Sequence, residues 1–288
     1  MNYDVVIVGS GVAGLTAAIY VARAGKSSLV IENSIIGGTT ATLESVENYP
    51  GFSGKTGGEL INIMLGQVIS LGVSIEMQNI VSIDFDKKEL TFDNGQKCTY
   101  GALIISTGTS PIKLTVKGEE ELKFKGLSYC ATCDGRLYKD KKVVVVTSGV
   151  KGSDSIDYLS NLANEVIVLD TTDLYSNSKY IVYNNVTIKE IIGSDYVEGI
   201  AFTMGEEQIS IDCSAVFVCL GKNSDNTLFD GKIHTNNNKV ITDDKMRTNI
   251  PGVYAAGDIR DKELRQIVTA CADGAIAATE AIKFVSSL

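Results

Sequence analysis

Residues 3–32, YDVVIVGSGVAGLTAAIYVARAGKSSLVIE, place a strand, a glycine turn, a helix and a second strand in direct succession. The apolar run Tyr3–Val8 is typical of a strand that is buried on both faces of a parallel sheet. Leu15–Ala24 is rich in good helix formers and is followed by a glycine, which commonly ends a helix. Ser28–Ile31 is the second strand, and Glu32 follows it. This order predicts a βαβ unit.

The glycine turn has the spacing of a dinucleotide-binding fingerprint. Gly9 and Gly11 allow the backbone to turn and to approach a pyrophosphate, and Gly14 allows the helix to pack close to the strand. The amino terminus of the helix would then face the phosphates with unpaired N–H groups. Glu32 is placed to accept a hydrogen bond from a ribose hydroxyl. A glycine turn without a ligand is the simpler alternative, but the acid at this spacing favours a dinucleotide.

Further apolar runs predict a second unit of similar plan. One βα unit begins at Lys142 and continues through a helix near Ser155–Ala163 to a strand at Glu165–Leu169. The carboxyl end of the chain holds Gly257-Asp258 and a predicted helix, Gln266–Val285. We therefore expect an α/β fold of two Rossmann-like, three-layer, nucleotide-binding-type domains. The first domain is discontinuous (1–113 and 242–288), and the second (114–241) is inserted in it and trimmed, because no clear helix follows Thr171.

Composition and charge exclude several classes of protein. The net charge of −9 disfavours binding to nucleic acids or to anionic membranes. No apolar run approaches the ~20 residues that a bilayer-spanning helix needs, and no basic region of a secretory signal is present. We expect a cytoplasmic protein with neither a nucleic-acid nor a membrane partner.

The six cysteines include one C-x-x-C pair, Cys130 and Cys133. A structural zinc site would need a second pair of ligands, and the single histidine, His234, does not provide one. We therefore expect no metal site and interpret the pair as redox-active. The isolated cysteines are expected to be buried packing residues; they are Cys98, Cys213, Cys219 and Cys271.

Taken together, these motifs resemble the low-molecular-weight flavoprotein thioredoxin reductases over nearly the whole chain. The resemblance implies bound FAD, a homodimer, and electron flow from FAD to the cysteine pair and on to thioredoxin. It assigns Cys133 as the flavin-proximal sulfur, Cys130 as the sulfur that attacks the partner disulfide, and Asp134 as the acid that protonates a thiolate leaving group. Asp134 could alternatively be a turn residue before Gly135.

The resemblance also implies a set of FAD contacts. They are Gly9, Gly11, Val12, Ala13, Gly14, Glu32, Asn33, Gly38, Thr39, Asn48, Val81, Thr107, Gly108, Gly257, Asp258, Arg265, Gln266 and Ile267.

The second unit departs from the NADPH-using members of this family. Thr147 stands where their second fingerprint has its first glycine, and a β-branched residue there obstructs a close approach to phosphate. The basic triplet that grips the 2′-phosphate falls on Asp170-Thr171-Thr172, and a further arginine falls on Ser176. Each lost hydrogen bond from arginine removes ~1.5–3 kcal/mol. We therefore expect a donor other than NADPH.

The resemblance is then nearest to the ferredoxin-dependent flavin thioredoxin reductases, which lack the NADPH motifs. Residues 111–151 hold nine basic and five acidic residues, an excess that would favour docking of an acidic ferredoxin. A solvated lysine-rich surface is the alternative. Two further hypotheses stay open: an NADH- or NADPH-dependent reductase with an unusual site, in which Asp170 holds a ribose, and a flavoprotein redox sensor or partner-binding subunit.

Overall fold

The computed structural model describes residues 1–177, 179–224, 226–229 and 231–288. Its α-helices are α1 (Val12–Arg23), α2 (Gly38–Ala41), α3 (Gly57–Ser70), α4 (Ala131–Asp134), α5 (Ser153–Ser160) and α6 (Ile267–Val285). Short 3₁₀ turns lie at Gly135–Tyr138, Gly149–Gly152, Thr227–Phe229 and Gly257–Ile259.

The strands precede these helices or lie between them along the chain. They are β1 (Asn2–Val8), β2 (Ser28–Glu32), β3 (Ser74–Met77), β4 (Ile80–Asp84), β5 (Glu89–Phe92), β6 (Lys97–Ile105), β7 (Ser110–Pro111), β8 (Leu127–Ser128), β9 (Lys142–Thr147), β10 (Glu165–Asp170), β11 (Ile181–Tyr183), β12 (Val186–Gly193), β13 (Val197–Met204), β14 (Glu207–Asp212), β15 (Ala215–Cys219), β16 (Lys222–Asn223), β17 (Thr235–Asn236), β18 (Lys239–Val240) and β19 (Val253–Ala255).

The chain divides into two compact units, Met1–Ser110 with Asn223–Leu288, and Pro111–Lys222. The first boundary between these units lies at 110/111, where the sequence predicted 113/114. The second lies at 222/223, earlier than the predicted 241/242, because Phe229, Ile233 and Val240 are buried in the core of the first unit. These apolar side chains lie in an irregular segment. Because the segment has no helical or strand periodicity, its sequence did not indicate which domain it belongs to.

The first unit is built on a sheet with the strand order β3-β2-β1-β6-β5-β4, and β19 pairs with β6. Strands β3, β2, β1, β6 and β19 run parallel. Strand β5 pairs antiparallel with β6, and β4 pairs antiparallel with β5. Val5, Val6 and Ile7 of β1 are fully buried, as the continuous apolar run predicted. Helices α1, α3 and α6 cover one face of the sheet, and residues between 229 and 259 cover the other.

Close packing between α1 and α6 brings the carboxyl-terminal helix against the glycine turn. A Cβ on Gly274 would lie 2.2 Å from the carbonyl oxygen of Ala13, so only glycine fits at this contact. The small residues Ala17, Ala18, Ala277 and Ala278 are fully buried in the same core. The discontinuous first unit is thus closed by a helix contact that depends on missing side-chain volume.

The second unit repeats the parallel architecture. Its sheet has the order β11-β10-β9-β15-β8, and each neighbouring pair is parallel. Helix α5 packs on one face, and the antiparallel sheet β12-β13-β14 shares a core with the other. Among the described residues between α5 and Thr227, the regular elements are strands. The predicted α/β class with two Rossmann-like three-layer units is confirmed.

Among the helices of the described segments, none combines the length and the apolar character that a bilayer crossing requires.

We predict that Gly274→Ala destabilises the protein by about 1–3 kcal/mol, because the added methyl group overpacks the contact between α1 and α6. The matched control is Gly58→Ala in the first turn of α3, where a Cβ would make only ordinary contacts, at 3.6 Å from the carbonyl oxygen of Ala41 and 3.8 Å from the hydroxyl of Thr56. That change should stabilise the protein by about 0.4–1 kcal/mol, since alanine reduces the freedom of the unfolded chain. Urea unfolding followed by circular dichroism measures both. Equal effects of the two substitutions would contradict the packing argument.

Candidate functional site

The first glycine turn leaves open space at the amino end of α1. Gly9 has φ +100°, and a Cβ there would lie 2.5 Å from the carbonyl oxygen of Ser106. Gly11 has φ −63° and precedes the first residue of α1 directly. A Cβ on Gly11 would meet nothing within 4 Å. A helix amino terminus that opens on free space, with glycine beside it, can bind an anionic group such as a pyrophosphate.

Three other predicted segments converge on this turn. Gly37 forms a bridge with Gly11 and donates its N–H to the carbonyl of Ser10 at 3.1 Å. A Cβ on Gly257 would lie 3.0 Å from the Cβ of Ala13, and Thr107 follows β6 beside Gly9. The structure thus brings together motifs that are up to about 250 residues apart in the sequence.

Glu32 lies at the end of β2 and stabilises the turn. It accepts hydrogen bonds from the N–H (2.9 Å) and hydroxyl (2.6 Å) of Ser10, and its other oxygen accepts from the N–H groups of residues 33 and 34. Its side chain is half-buried, so solvent still reaches it. The hydroxyl of Ser10 can rotate, which would free an acceptor position for a ribose hydroxyl. Nothing in the sequence indicated this role of Ser10.

Arg265 and Gln266 precede α6, and Gln266 is its N-cap residue. The Oε1 atom of Gln266 accepts a hydrogen bond from Asn48 at 3.0 Å. The Nε atom of Arg265 is buried and has no hydrogen-bond partner among the described residues. Because a buried N–H of a charged group requires an acceptor, this orphaned atom fits a site that a polar ligand completes.

A buried carboxylate that the sequence analysis missed anchors the same loop. Asp273 accepts from Arg260 (2.8 Å), from Lys262 (2.7 Å) and from the N–H of Gly257 (3.0 Å). It thereby ties the segment between Gly257 and Arg265 to α6. The signal was an acid, one of two with Glu280, in a largely apolar helix, but helical spacing alone does not identify its partners.

The other predicted FAD contacts lie in the same unit, and most are accessible. Asn33, Thr39, Asn48, Val81 and Thr107 are exposed, whereas Gly38, Gly108, Asp258 and Ile267 are half-buried and Val12, Ala13 and Gly14 are buried. The open helix terminus, the half-buried acid and the orphaned Arg265 N–H fit FAD. These residues would hold the pyrophosphate, a ribose and the flavin, respectively.

The second unit holds the redox pair. Cys130 and Cys133 form a disulfide with a Cα–Cα distance of 5.3 Å, and Cys130 is the N-cap residue of the single turn α4. Both cysteines are half-buried. The carbonyl of Cys130 accepts from the N–H groups of Cys133 (3.2 Å) and Asp134 (3.1 Å). The redox turn is thus a short, partly exposed segment rather than part of the buried core.

The acid and the disulfide are linked through Ser128. Its hydroxyl donates to Oδ2 of Asp134 at 2.6 Å and accepts from the N–H of Cys130 at 3.0 Å. Ser128 is 5% exposed and lies in β8, at the edge of the parallel sheet. Asp134 is therefore part of a network with the redox turn, beyond the turn-forming role that an Asp-Gly pair would have alone.

The second glycine turn differs from the first in conformation. Gly149, the counterpart of Gly11, has φ +61°, and a 3₁₀ turn separates it from α5, which begins at Ser153. The buried hydroxyl of Thr147 accepts from the N–H of Gly152 (2.9 Å) and donates to the carbonyl of Gly149 (3.0 Å). Thr147 thus ties the turn together from inside the protein, at the position where the first unit has Gly9.

Asp170, the counterpart of Glu32, is fully buried and hydrogen-bonded on both oxygens. It accepts from the N–H groups of Gly149, Thr172, Leu174 and Tyr175 and from the hydroxyl of Thr172. Burial alone would raise the pKa of Asp170, but the backbone hydrogen bonds outweigh it and hold the pKa below its ordinary value. A carboxylate occupied in this way has no acceptor position for a ribose, which argues against the NADH hypothesis.

The free cysteines are only partly buried as predicted. Cys98 and Cys213 are buried, and burial raises the pKa of the Cys213 thiol to about 12. Cys219 and Cys271 are half-buried instead.

The basic segment does not form one continuous patch. Lys142 begins β9 and Lys151 lies beyond its other end, and the strand between them spans about 17 Å at ~3.3 Å per residue. Lys113, Lys117 and Lys142 also pair with Glu120, Glu190 and Glu165. The sequence count therefore overestimates any single basic surface, because a strand separates charges that are near each other in the chain.

Comparisons with known proteins agree with this geometry. The family model described as pyridine nucleotide-disulphide oxidoreductase matches residues 3–274. A thioredoxin reductase of Peptoclostridium acidaminophilum is 40% identical, with 99% of this chain and 98% of the relative covered. The crystal structure of the Streptococcus pyogenes thioredoxin reductase superposes with a TM-score of 0.93 at 32% identity, covering 100% and 99% of the two chains. A ferredoxin-flavin thioredoxin reductase of Clostridium acetobutylicum has a TM-score of 0.57 at 28% identity, covering 100% and 98%.

We predict that Gly11→Ala weakens FAD binding without destabilising the FAD-free protein. Alanine is unstrained at this φ, and its methyl group meets no protein atom, so unfolding of the FAD-free protein should be unchanged. The methyl group would enter the space assigned to the pyrophosphate and should lower the affinity for FAD by about tenfold or more. Flavin release during dialysis, with Gly58→Ala as the control, measures the effect. Full retention of FAD by Gly11→Ala would refute this placement.

Proposed function

Because the chain belongs to the pyridine nucleotide-disulphide oxidoreductase family and is an FAD-binding flavoprotein, we propose that it reduces the disulfide of thioredoxin with electrons from ferredoxin. Cys130 and Cys133 are the redox pair in this proposal, and Asp134 is the acid. The FAD contacts are those of the first unit, described above.

Thioredoxin is the proposed acceptor because the similar curated proteins are thioredoxin reductases over almost their whole length. The redox turn supports a protein disulfide as substrate, since its two cysteines are half-buried and Thr132 between them is exposed. A small redox turn at the surface can meet a disulfide on another protein, whereas a buried pair could not.

The observation that carries the choice of donor is the set of hydrogen bonds around Asp170. Its oxygens take the N–H groups of the turn and of the following loop, and Thr147 takes another. A pyridine nucleotide would have to displace these bonds and place its phosphates beside a buried carboxylate. A charge about 4 Å from a phosphate repels it by up to ~4 kcal/mol at an effective dielectric constant near 20. We therefore expect neither NADPH nor NADH to be an efficient donor.

Ferredoxin fits as the remaining source of electrons. The Clostridium acetobutylicum protein, whose name includes ferredoxin, is similar to this chain over its full length. A ferredoxin near −400 mV lies about 130 mV below a thioredoxin near −270 mV, so transfer of two electrons is downhill by about 6 kcal/mol. FAD, which accepts electrons singly or in pairs, would supply the link between a one-electron donor and a two-electron disulfide.

The cysteine pair then carries out two exchange steps. The Cys130 thiolate attacks one sulfur of the acceptor disulfide, a Cys130–acceptor bond forms, and the acceptor bond breaks. The leaving thiolate takes a proton from Asp134. The Cys133 thiolate next attacks Cys130, which restores their disulfide and releases the second acceptor sulfur. The two enzyme thiols give up two protons on becoming thiolates; one protonates this sulfur and the other restores Asp134. The enzyme dithiol loses two electrons, and the acceptor gains two.

We also propose that the protein is a homodimer. Helix α3 of the first unit leaves Ile63 and Ile69 more than half exposed, and Leu71 follows them. Apolar side chains clustered on one exposed helix are typical of a protein interface. A second copy of the chain is the occupant that the resemblance favours.

The choice of donor is tested by anaerobic titration of the oxidised protein. Reduced ferredoxin should bleach the flavin absorbance within a catalytic turnover time, and NADPH and NADH at millimolar concentration should not. Dithionite serves as the control, because it shows that the flavin can be reduced. Rapid bleaching by NADPH would overturn the ferredoxin proposal, and bleaching by NADH alone would favour the hypothesis that Asp170 holds a ribose. Reduction of the flavin without any turnover of thioredoxin would favour a redox sensor.

The roles of the two sulfurs are tested by trapping. Cys133→Ser should leave Cys130 free to form a mixed disulfide with thioredoxin that is stable, because the resolving thiol is absent. Cys130→Ser should trap little thioredoxin. Mass spectrometry of the reaction without reductant distinguishes the two variants. The reverse pattern would exchange the roles of Cys130 and Cys133.

A further inference from the structure

We propose that Ser128 is a positioning residue for the proton donor of the exchange reaction. The inference rests on the proposed function in one respect only, the use of Asp134 as the acid. It concerns how the carboxyl group is held against the redox turn.

The hydroxyl of Ser128 links the proposed acid, Asp134, to the attacking cysteine, Cys130. Its hydroxyl donates to Oδ2 of Asp134 at 2.6 Å and accepts from the backbone N–H of Cys130 at 3.0 Å. The N–H of Asp134 in turn donates to the carbonyl of Cys130 at 3.1 Å. A closed ring of hydrogen bonds therefore joins the acid, the serine and the attacking cysteine.

The position of Ser128 makes this ring rigid. Ser128 is 5% exposed and pairs in register with Phe217 of β15, and its neighbour Leu127 is fully buried. The redox turn itself is only half-buried, and α4 has only four residues. A buried strand thus supplies the fixed point for a short and accessible turn. Loss of the hydroxyl would remove the hydrogen bond that holds Oδ2 of Asp134 to this buried strand.

The chemistry of the leaving group turns this arrangement into a test. An alkyl thiol has a pKa near that of cysteine, about 8.5, so its thiolate needs a proton as it leaves at neutral pH. An aryl thiolate such as nitrothiobenzoate has a much lower pKa and leaves without one. A residue that positions the acid should therefore matter for an alkyl disulfide and be nearly irrelevant for an aryl disulfide.

The experiment uses the holoprotein reduced with dithiothreitol and freed of excess reductant. It is mixed in single turnover with 2-hydroxyethyl disulfide or with 5,5′-dithiobis(2-nitrobenzoate). Re-formation of the Cys130–Cys133 disulfide is followed by rapid alkylation and mass spectrometry. Ser128→Ala should slow the alkyl reaction by about tenfold, the scale of one hydrogen bond to a charged group, and the aryl reaction by less than about twofold.

Two further variants separate positioning from general damage. Ser128→Thr keeps the hydroxyl and should restore most of the alkyl rate. Ser28→Ala deletes another buried hydroxyl, which has no hydrogen-bond partner among the described residues, and should change neither rate. In an Asp134→Asn background, Ser128→Ala should cause no further loss with the alkyl reagent, since the two residues act as one unit.

Equal slowing with both reagents, or an alkyl rate that Ser128→Ala leaves unchanged, would overturn the proposal. Additive losses in the double variant would also overturn it. The assay needs neither ferredoxin nor thioredoxin. Failure of the proposed donor or acceptor would therefore leave this result intact, and failure here would leave the donor titration unaffected.

Discussion

Both units depend on one constraint. A few backbone N–H groups at the turn between a parallel strand and its helix need hydrogen-bond acceptors. Such groups are unpaired by the helix itself and must find an acceptor. In the first unit α1 begins directly after Gly11, where the structure leaves room for a ligand. In the second unit Thr147 and Asp170 accept the corresponding N–H groups, and α5 begins only after a further 3₁₀ turn. One topology therefore gives a nucleotide site in one copy and an internally satisfied turn in the other.

The carboxylates that end β2 and β10 show how little sequence separates these outcomes. Glu32 and Asp170 occupy the same position in their units, and each accepts hydrogen bonds from its own turn. Glu32 remains half-buried, whereas Asp170 is fully buried and also holds the loop that follows it. The second unit thus has the shorter and fully buried Asp170 at the position where the first unit has Glu32, whose half-buried carboxylate suits a ribose hydroxyl. Similarity over the whole chain does not by itself identify the electron donor, and our proposal for the donor rests on the hydrogen bonds of this one turn.

The sequence predicted most of the fold because its signals were local. The run Tyr3–Val8, the glycine spacing and the helix after Gln266 each fall within about two residues of the observed element. The features that the sequence did not predict are long-range. Phe229 and Ile233 pack into the core of the first unit, and they lie in a segment without any periodic pattern. The roles of Ser128 and Asp273 were invisible, since a hydroxyl or a lone acid in a strand or helix gives no indication of its partner.

The basic segment illustrates the opposite error, in which proximity along the chain is taken for proximity in space. A strand carries its two ends apart at ~3.3 Å per residue, so β9 separates Lys142 from Lys151 however close they are in sequence. Ion pairs with Glu120, Glu190 and Glu165 further reduce the local excess of positive charge. Steering of an acidic partner depends on the summed field within a Debye length of ~10 Å. The charges at the two ends of β9, near Lys142 and near Lys151, therefore add little to each other's field. The ferredoxin docking that we propose therefore calls for a surface smaller than the charge count implies, or for shape and apolar contact as much as for charge.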